Sequence, residues 1–393
     1  VTPRRILTLN AGSSSLKFAL YLDPDLALEL TGQVTDLGGS PRLLAKAGSR
    51  LVADEPWPEG REPDAVLEGL LAWLKRTGWA DGLAATGHRI VHGGLEFRNP
   101  TILTPEIVAR LAMLSPLAPL HQPFNLRGVE IARRQFPEVL QAGVFDTAFH
   151  ADQPVVARLY ALPRKLIDEG VLAYGFHGLS YDYISEILRS EEGPRAGGRS
   201  IVLHLGSGVS LCAMSEGRSV ATSMGFSALD GPPMSTRCGA LDPGVVLHLI
   251  QERGMSVEAV SDLLYNRSGL LGLSGLSGDM VTLLASESPQ ARQAIEVYAY
   301  RIAREIGSLA AALGGLDTMV FTAGVGEHAA PIRERIARHC AWLGVQLDAE
   351  ANSAGARKVS DPESRVKLLV IPTDEQVIIA RGVSSLRDAT AHA

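Results

Sequence analysis

Three short turns, Gly12-Ser13-Ser14-Ser15, Gly206-Ser207-Gly208-Val209-Ser210 and Gly324-Val325-Gly326, each follow an apolar run. Backbone N–H groups in such turns form nests for phosphate oxygens, and glycine permits close approach. A plain β-turn is the competing reading for each, because Gly and Ser dominate turns. None matches G-x-x-x-x-G-K-[ST] or G-x-G-x-x-G, so a P-loop or dinucleotide site is poorly supported. Asp146 ends one apolar run, and Glu375 follows another through Pro372. One or two carboxylates beside phosphate oxygens suit Mg2+; a helix cap or first-turn acid is the alternative. Arg89 and Arg237 stand next to glycine turns, where a guanidinium can grip carboxylate or phosphate. A surface arginine is the bland alternative, because only six of the 37 basic residues are lysine. His177, between Gly175 and Gly178, is either structural or a donor to a charged oxygen. His88 and His92 would need a helix to make a zinc pair, and the β-branched run into Gly93-Gly94 argues against one. The G-x-S-x-G nucleophile elbow is absent.

The elements that position these residues follow from pattern. Residues 6–9 and 16–21 predict strand, tight turn, strand. Apolar spacing at Val66, Leu67, Leu70, Leu71 and Leu74 predicts a helix over 64–76. Residues 84–90 and 139–145 read as strands, with the polar residues collecting at their ends, where open α/β sheets bind ligands. The plan repeats at 200–205 and 211–214. A strand, Gly/Ser turn, strand unit occurring twice about half a chain apart suggests a duplicated two-domain architecture. Helices are expected at 105–114, 125–135, 288–313 and 331–343. Strands at 319–322 and 367–371 follow, with a closing helix from Glu375 to about residue 387.

Length and charge bound the rest. At 393 residues the chain predicts two or three domains. A net charge of −6 gives no general pull toward nucleic acid or anionic membrane. No window reaches the ~18 apolar residues of a membrane span, and the first apolar run is too short for a signal-peptide core. Three cysteines without a C-x-x-C pair argue against a disulfide framework or a Cys-type zinc site, and fit a reducing cytoplasm.

Taken in order, the motifs resemble the acetate kinases and the short-chain acyl kinases generally. The resemblance covers nearly the whole chain. It runs through Leu9-Asn10-Ala11-Gly12-Ser13-Ser14-Ser15-Leu16-Lys17-Phe18, Gly87-His88-Arg89-Ile90-Val91-His92-Gly93-Gly94, residues 115–121, Phe145-Asp146-Thr147-Ala148-Phe149-His150 and Tyr174-Gly175-Phe176-His177-Gly178. It continues through His204-Leu205-Gly206, Thr222-Ser223-Met224-Gly225-Phe226, Thr236-Arg237-Cys238-Gly239, residues 321–327 and Pro372-Thr373-Asp374-Glu375. The resemblance implies an α/β fold of two ribonuclease-H-like domains, a duplicated actin-like ATPase fold with the active site in the interdomain cleft. Expected boundaries are 1–150 plus about 380–393 for the acyl kinase domain and 151–379 for the nucleotide-binding domain. It also implies a homodimer, expected in the cytoplasm from the cysteine usage above, that transfers phosphoryl reversibly between ATP and acetate or propionate, with Mg2+, or Mn2+ in its place. By the same resemblance Asn10 and Glu375 would hold the metal. Asp146, His177 and Arg237 would be catalytic, and Arg89 would bind the acyl substrate. Val91, Leu120, Phe176 and Ala228 would line its pocket. Lys17, His204, Leu205, Gly206, Ser207, Gly208, Asp279, Met280, Val281, Gly324, Val325, Gly326, Glu327 and His328 would bind nucleotide.

The chemistry agrees with that reading on its own terms. A carboxylate nucleophile has no proton to lose near pH 7, so the site needs charge compensation between two anions rather than a strong base. Arg89, Arg237, His177 and a metal would supply it, with Asp146 an organiser. The chain departs from the family at Ser207 for an asparagine, Ala228 for a pocket proline, Val281 for an arginine, Ala323 for a glycine and His328 for an asparagine. Residues 231–235, with Pro232 and Pro233, are also unusual. The alternatives are a propionate- or butyrate-preferring acyl kinase and a non-catalytic nucleotide-binding protein of the same fold. A pyrophosphate-dependent kinase is disfavoured because Gly324 and Gly326 leave room for adenosine.

Overall fold

The computed structural model describes residues 4–12, 15–60, 62–119, 121–192 and 198–391. The chain divides into two compact units, residues 1–148 with 374–393, and residues 149–373.

The first unit is built on eight strands: β1 (Arg5–Ala11), β2 (Ser15–Leu22), β3 (Ala27–Thr35), β4 (Arg42–Ala47), β5 (Arg50–Pro56), β6 (Leu83–Ile90), β7 (Thr101–Ile102) and β8 (Leu140–Phe145). Their order is β5-β4-β3-β2-β1-β6-β8-β7. β1 to β5 form an antiparallel meander, while β1, β6 and β8 run parallel. Period-two alternation buries both faces. Leu7, Leu9, Leu16, Phe18 and Leu20 pack under the helices Pro63–Arg76 and Gln122–Gln135. Ile6, Ala19 and Tyr21 face the opposite way, against Ala380 and Val383 of the C-terminal helix Glu375–Ala391. That helix approaches β6 so closely that a Cβ on Gly87 would lie 2.6 Å from Ile379 Cγ2 and from Val383 Cγ2.

The second unit contains β9 (Arg199–Leu205), β10 (Val209–Ser215), β11 (Arg218–Thr222), β12 (Thr318–Thr322) and β13 (Lys367–Val370), in the order β11-β10-β9-β12-β13. β9 to β11 are antiparallel, and β9, β12 and β13 are parallel. The first unit shows the same arrangement in β3-β2-β1-β6-β8. The ribonuclease-H-like sheet therefore occurs twice, and the repeated strand–turn–strand unit is the β1–β2 hairpin in one copy and the β9–β10 hairpin in the other. Helix Gly178–Glu192 lays Tyr181, Ile184 and Leu188 on Val202, Cys212, Val320 and Leu369 of this sheet.

One local expectation is corrected. Residues 324–326 are not a turn but lie in a short helix, Ala323–His328. Thr322 is extended and Ala323 takes φ +63°, so the chain reverses at Ala323 and enters the helix directly. A Gly-Val-Gly stretch disguises this, because glycine is a poor helix former.

Candidate active site

In the first unit four polar side chains join at the carboxyl ends of β1, β6 and β8. Arg89 Nε donates to Asp146 Oδ1 and Oδ2 at 3.0 Å each, and Nη2 donates to Oδ2 at 2.5 Å. Arg89 Nη1 donates to Asn10 Oδ1 at 3.2 Å, and Asn10 Nδ2 donates to Glu375 Oε2 at 2.5 Å. Asp146, Arg89, Asn10 and Glu375 thus form one string. Burial alone would disfavour the Arg89 charge, but the Asp146 and Glu375 carboxylates overturn it and its pKa is raised. Arg89 is a permanent cation here.

Glu375 lies in the first turn of the last helix, but it is not the cap: Asp374 Oδ1 accepts from the backbone N–H groups of Gln376 and Val377. Lys17 sits on β2 directly across from Asn10 in the antiparallel register, and is exposed. Val91 is buried, and its N–H donates to Asn125 Oδ1 at 3.0 Å, while Asn125 Nδ2 donates to the Ala11 carbonyl. Gln122 brackets His92 by accepting from its N–H and donating to its carbonyl. These two helix residues latch the strand end that follows Arg89, and sequence reasoning missed them. Leu120, Ser13 and Ser14 lie outside the described residues.

In the second unit the β9–β10 hairpin carries the next group. A Cβ on Gly208 would lie 3.2 Å from His177 Nε2 and 3.7 Å from Arg237 Nη1, so the missing side chain leaves a small space that both donors border. Arg237 Nη1 also donates to the Ala228 carbonyl at 3.0 Å. His177 takes φ +58° and stacks on His204, with ring centroids 4.2 Å apart and planes 20° apart. A non-glycine residue in the left-handed region is held there by its surroundings. Part of that hold is His150, whose Nε2 donates to the Phe176 carbonyl at 3.0 Å. Ser219 Oγ lies 2.8 Å from His150 Nδ1 and accepts from Gln153 Nε2. Burial pushes the His150 ring down to about 4, so it stays neutral near pH 7.

The remaining second-unit residues divide by position. Leu205 and Phe176 are buried, Ser207 is exposed, and Gly206 forms the hairpin through its N–H to the Gly208 carbonyl. Ala228 is half-buried. Asp279 caps the helix Met280–Leu284 through Thr282, which lowers its pKa; Met280 is buried and Val281 exposed. Glu327 Oε1 accepts from the Thr373 N–H, while Gly324 and His328 are exposed. Arg333 holds the helix that contains Gly324, Val325 and Gly326. Nearly fully buried, it donates to the carbonyls of Gly326 and Glu327 at 2.9 Å each and to Asn352. Arginine abundance hid this residue, because its burial has no local sequence signal.

Comparison with known proteins fits this geometry. The acetokinase family model matches residues 5–381. An acetate kinase of Rhodopseudomonas palustris (strain TIE-1) is 50% identical, with 98% of each chain covered. One from Methylocella silvestris is 48% identical, with 99% of this chain and 100% of the relative covered. Among solved structures, a propionate kinase from Francisella tularensis superposes with a TM-score of 0.89 at 34% identity, covering 96% of this chain and 98% of that one. Porphyromonas gingivalis acetate kinase gives 0.84 at 35% identity, covering 98% and 99%. By family model, by full-length identity and by fold, this chain belongs to the acetokinase family.

Proposed function

We propose that this chain is a reversible acetate kinase, and that the residues gathered in each unit carry the transfer. An acetate oxygen attacks the γ-phosphorus of ATP, forming a new P–O bond. The bond to the β,γ-bridging oxygen breaks, and its electron pair leaves on ADP. No proton moves, which suits a site of fixed cations and N–H donors rather than of bases. The carrying observation is the space at Gly208, bordered by His177 Nε2 and Arg237 Nη1. In this reading both face the transferring phosphoryl group, and Arg89 holds the acyl carboxylate with Asp146 as its organiser. Val91, Phe176 and Ala228 would contact the acyl chain. Lys17, the 204–208 hairpin, residues 279–281 and the 324–328 helix would contact nucleotide.

The Glu375 carboxylate, held by the Asn10 amide nitrogen, is a hard donor that suits Mg2+ or Mn2+ shared with phosphate oxygens; Asn10 Oδ1, which accepts from Arg89, would join it once the amide turns over. Among the described residues no group of three or more His, Cys, Asp or Glu gathers as a closed metal cage, and a shared site needs none. When bound, the metal neutralises phosphate charge. No helix among the described residues is long and apolar enough to cross a membrane. A cytoplasmic homodimer completes the proposal; the unpaired thiols of Cys212, Cys238 and Cys340 suit the compartment.

The test is an acyl-hydroxamate assay with acetate, Mg-ATP and hydroxylamine. Acyl hydroxamate is expected, and Arg237→Ala should lower kcat/KM about a hundredfold, the scale of a lost preorganised donor. Absence of product with acetate, propionate and butyrate would favour a nucleotide-binding protein instead.

A further inference from the structure

We propose that Tyr181 and Ser210 are a positioning pair that fixes His177 as a neutral ring with its proton on Nε2. The consequence for phosphoryl transfer rests on the function proposed above, but the tautomer itself does not.

Tyr181 is fully buried in helix Gly178–Glu192, and among the described residues its hydroxyl has one hydrogen-bond partner, Ser210 Oγ. Burial holds the phenol well above the usual tyrosine range, so it keeps its proton. A buried hydroxyl hydrogen needs an acceptor, and among the described residues that acceptor is Ser210 Oγ. Tyr181 therefore donates. Ser210, also fully buried, lies 2.8 Å from His177 Nδ1 through the same oxygen. Its own hydrogen then has His177 Nδ1 as its acceptor. Nδ1 accepts, so the ring proton sits on Nε2, the atom beside Gly208 and Arg237.

A cationic ring is disfavoured by the same count. It would turn Nδ1 into a donor and give Ser210 Oγ two incoming hydrogens. The hydrogen of Ser210 would then be left in a buried place without an acceptor, at an uncompensated desolvation cost. The stacked partner ring repeats the pattern. Thr373 Oγ1 donates to Ser180 Oγ at 2.9 Å, which leaves the Ser180 hydrogen for His204 Nδ1, also at 2.9 Å. Two neutral rings 4.2 Å apart stack without the repulsion that two cations would meet. His177 thus meets a phosphoryl oxygen as a neutral N–H donor, while the positive charge beside it is left to Arg237.

The full chain labelled with 15N-histidine would be read by long-range 1H–15N correlation at about pH 7, with His177 assigned by loss of its signals in His177→Gln. Nε2 is expected to carry the proton and Nδ1 to show the shift of a bare nitrogen. A ring protonated on Nδ1, or on both nitrogens, overturns the proposal. Tyr181→Phe removes only the donor hydroxyl. It should add a population of the Nδ1–H tautomer and lower kcat about three- to tenfold, the worth of one net hydrogen bond, with KM for ATP nearly unchanged. An unchanged ring spectrum in that variant removes Tyr181 from the pair. If Tyr181→Phe does not fold, Ser210→Ala reads the same tautomer shift. A chain without acyl kinase activity would sink the proposed function, yet the wild-type spectrum would still decide the tautomer.

Discussion

Arg89 grips Asp146 through three N–H···O contacts, with the Asp146 side chain only 1% exposed and that of Arg89 18% exposed. A carboxylate occupied in this way orients a guanidinium and is badly placed to take up a proton. Asp146→Asn should therefore lower kcat/KM about a hundredfold through misplacement of Arg89. The shape of the pH–rate profile should stay the same. Loss of one limb of the profile would show that Asp146 is a general base after all. Breaking a buried pair also leaves an uncompensated charge, so urea unfolding should show a loss of about 3 kcal/mol.

Acid should unfold the protein partly through its histidines. Burial pushes His88, His92 and His150 each down to about 4, from an unfolded value of 6.5. Below 6.5 the unfolded chain binds protons that the folded rings refuse, so stability is fully present above that pH and is lost as pH falls toward 4. Each ring should cost about 2 kcal/mol between pH 7 and pH 5. His150→Asn should fold less stably at pH 7 but lose correspondingly less on acidification. Equal slopes in wild type and variant, read by urea unfolding at both pH values, would contradict this.

The sheets were legible because alternation and turn chemistry are local. The apolar run at residues 6–9 declares a strand buried on both faces, and the spacing of Leu67, Leu70, Leu71 and Leu74 declares the buried face of a helix, before any partner is known. The polar residues that end strands were visible for the same reason: Asn10 and Asp146 each close an apolar run, and Arg89 stands next to a glycine turn. What holds them was not visible. Asn125 reaches Ala11 across 114 residues, and Ser210 meets Tyr181 only once β10 packs beneath a helix. Arg333 was lost among many arginines, since nothing near it in sequence marks its nearly complete burial. The 323–328 helix was misread because its two glycines speak for a turn, whereas packing and the Arg333 contacts favour the helix.

Ala323 stands where the family resemblance places a glycine, and it takes φ +63°, a conformation that glycine adopts without strain. An L-residue in this region carries a strain of about 1–2 kcal/mol that glycine does not. Ala323→Gly should therefore stabilise the protein by about 1 kcal/mol, after the larger unfolded-state entropy of glycine is subtracted. Ala323→Val should destabilise it by more, because a branched side chain tolerates this conformation worse. Thermal unfolding of the three proteins checks the order Gly, Ala, Val. A glycine variant less stable than the parent would mean that the buried Ala323 methyl contributes more by packing than the strain removes.

Ala228 replaces a proline that the resemblance places in the acyl pocket, and its carbonyl accepts from Arg237. The substitution removes ring volume while leaving that carbonyl to hold the guanidinium. A longer acyl chain can occupy the space, and one more buried methylene is worth about 1 kcal/mol, or roughly five- to tenfold in kcat/KM. Propionate should then rival or exceed acetate, with butyrate tolerated. Pro232 and Pro233, both buried just downstream, are the local features able to push the loop inward and refill the gap. Ala228→Pro separates the two outcomes. With an enlarged pocket, the proline should shift the ratio of kcat/KM values toward acetate by about fivefold, since ring atoms reoccupy the space of the extra methylene. An unchanged ratio, or a wild type that strongly prefers acetate, would show that the loop has already closed the gap.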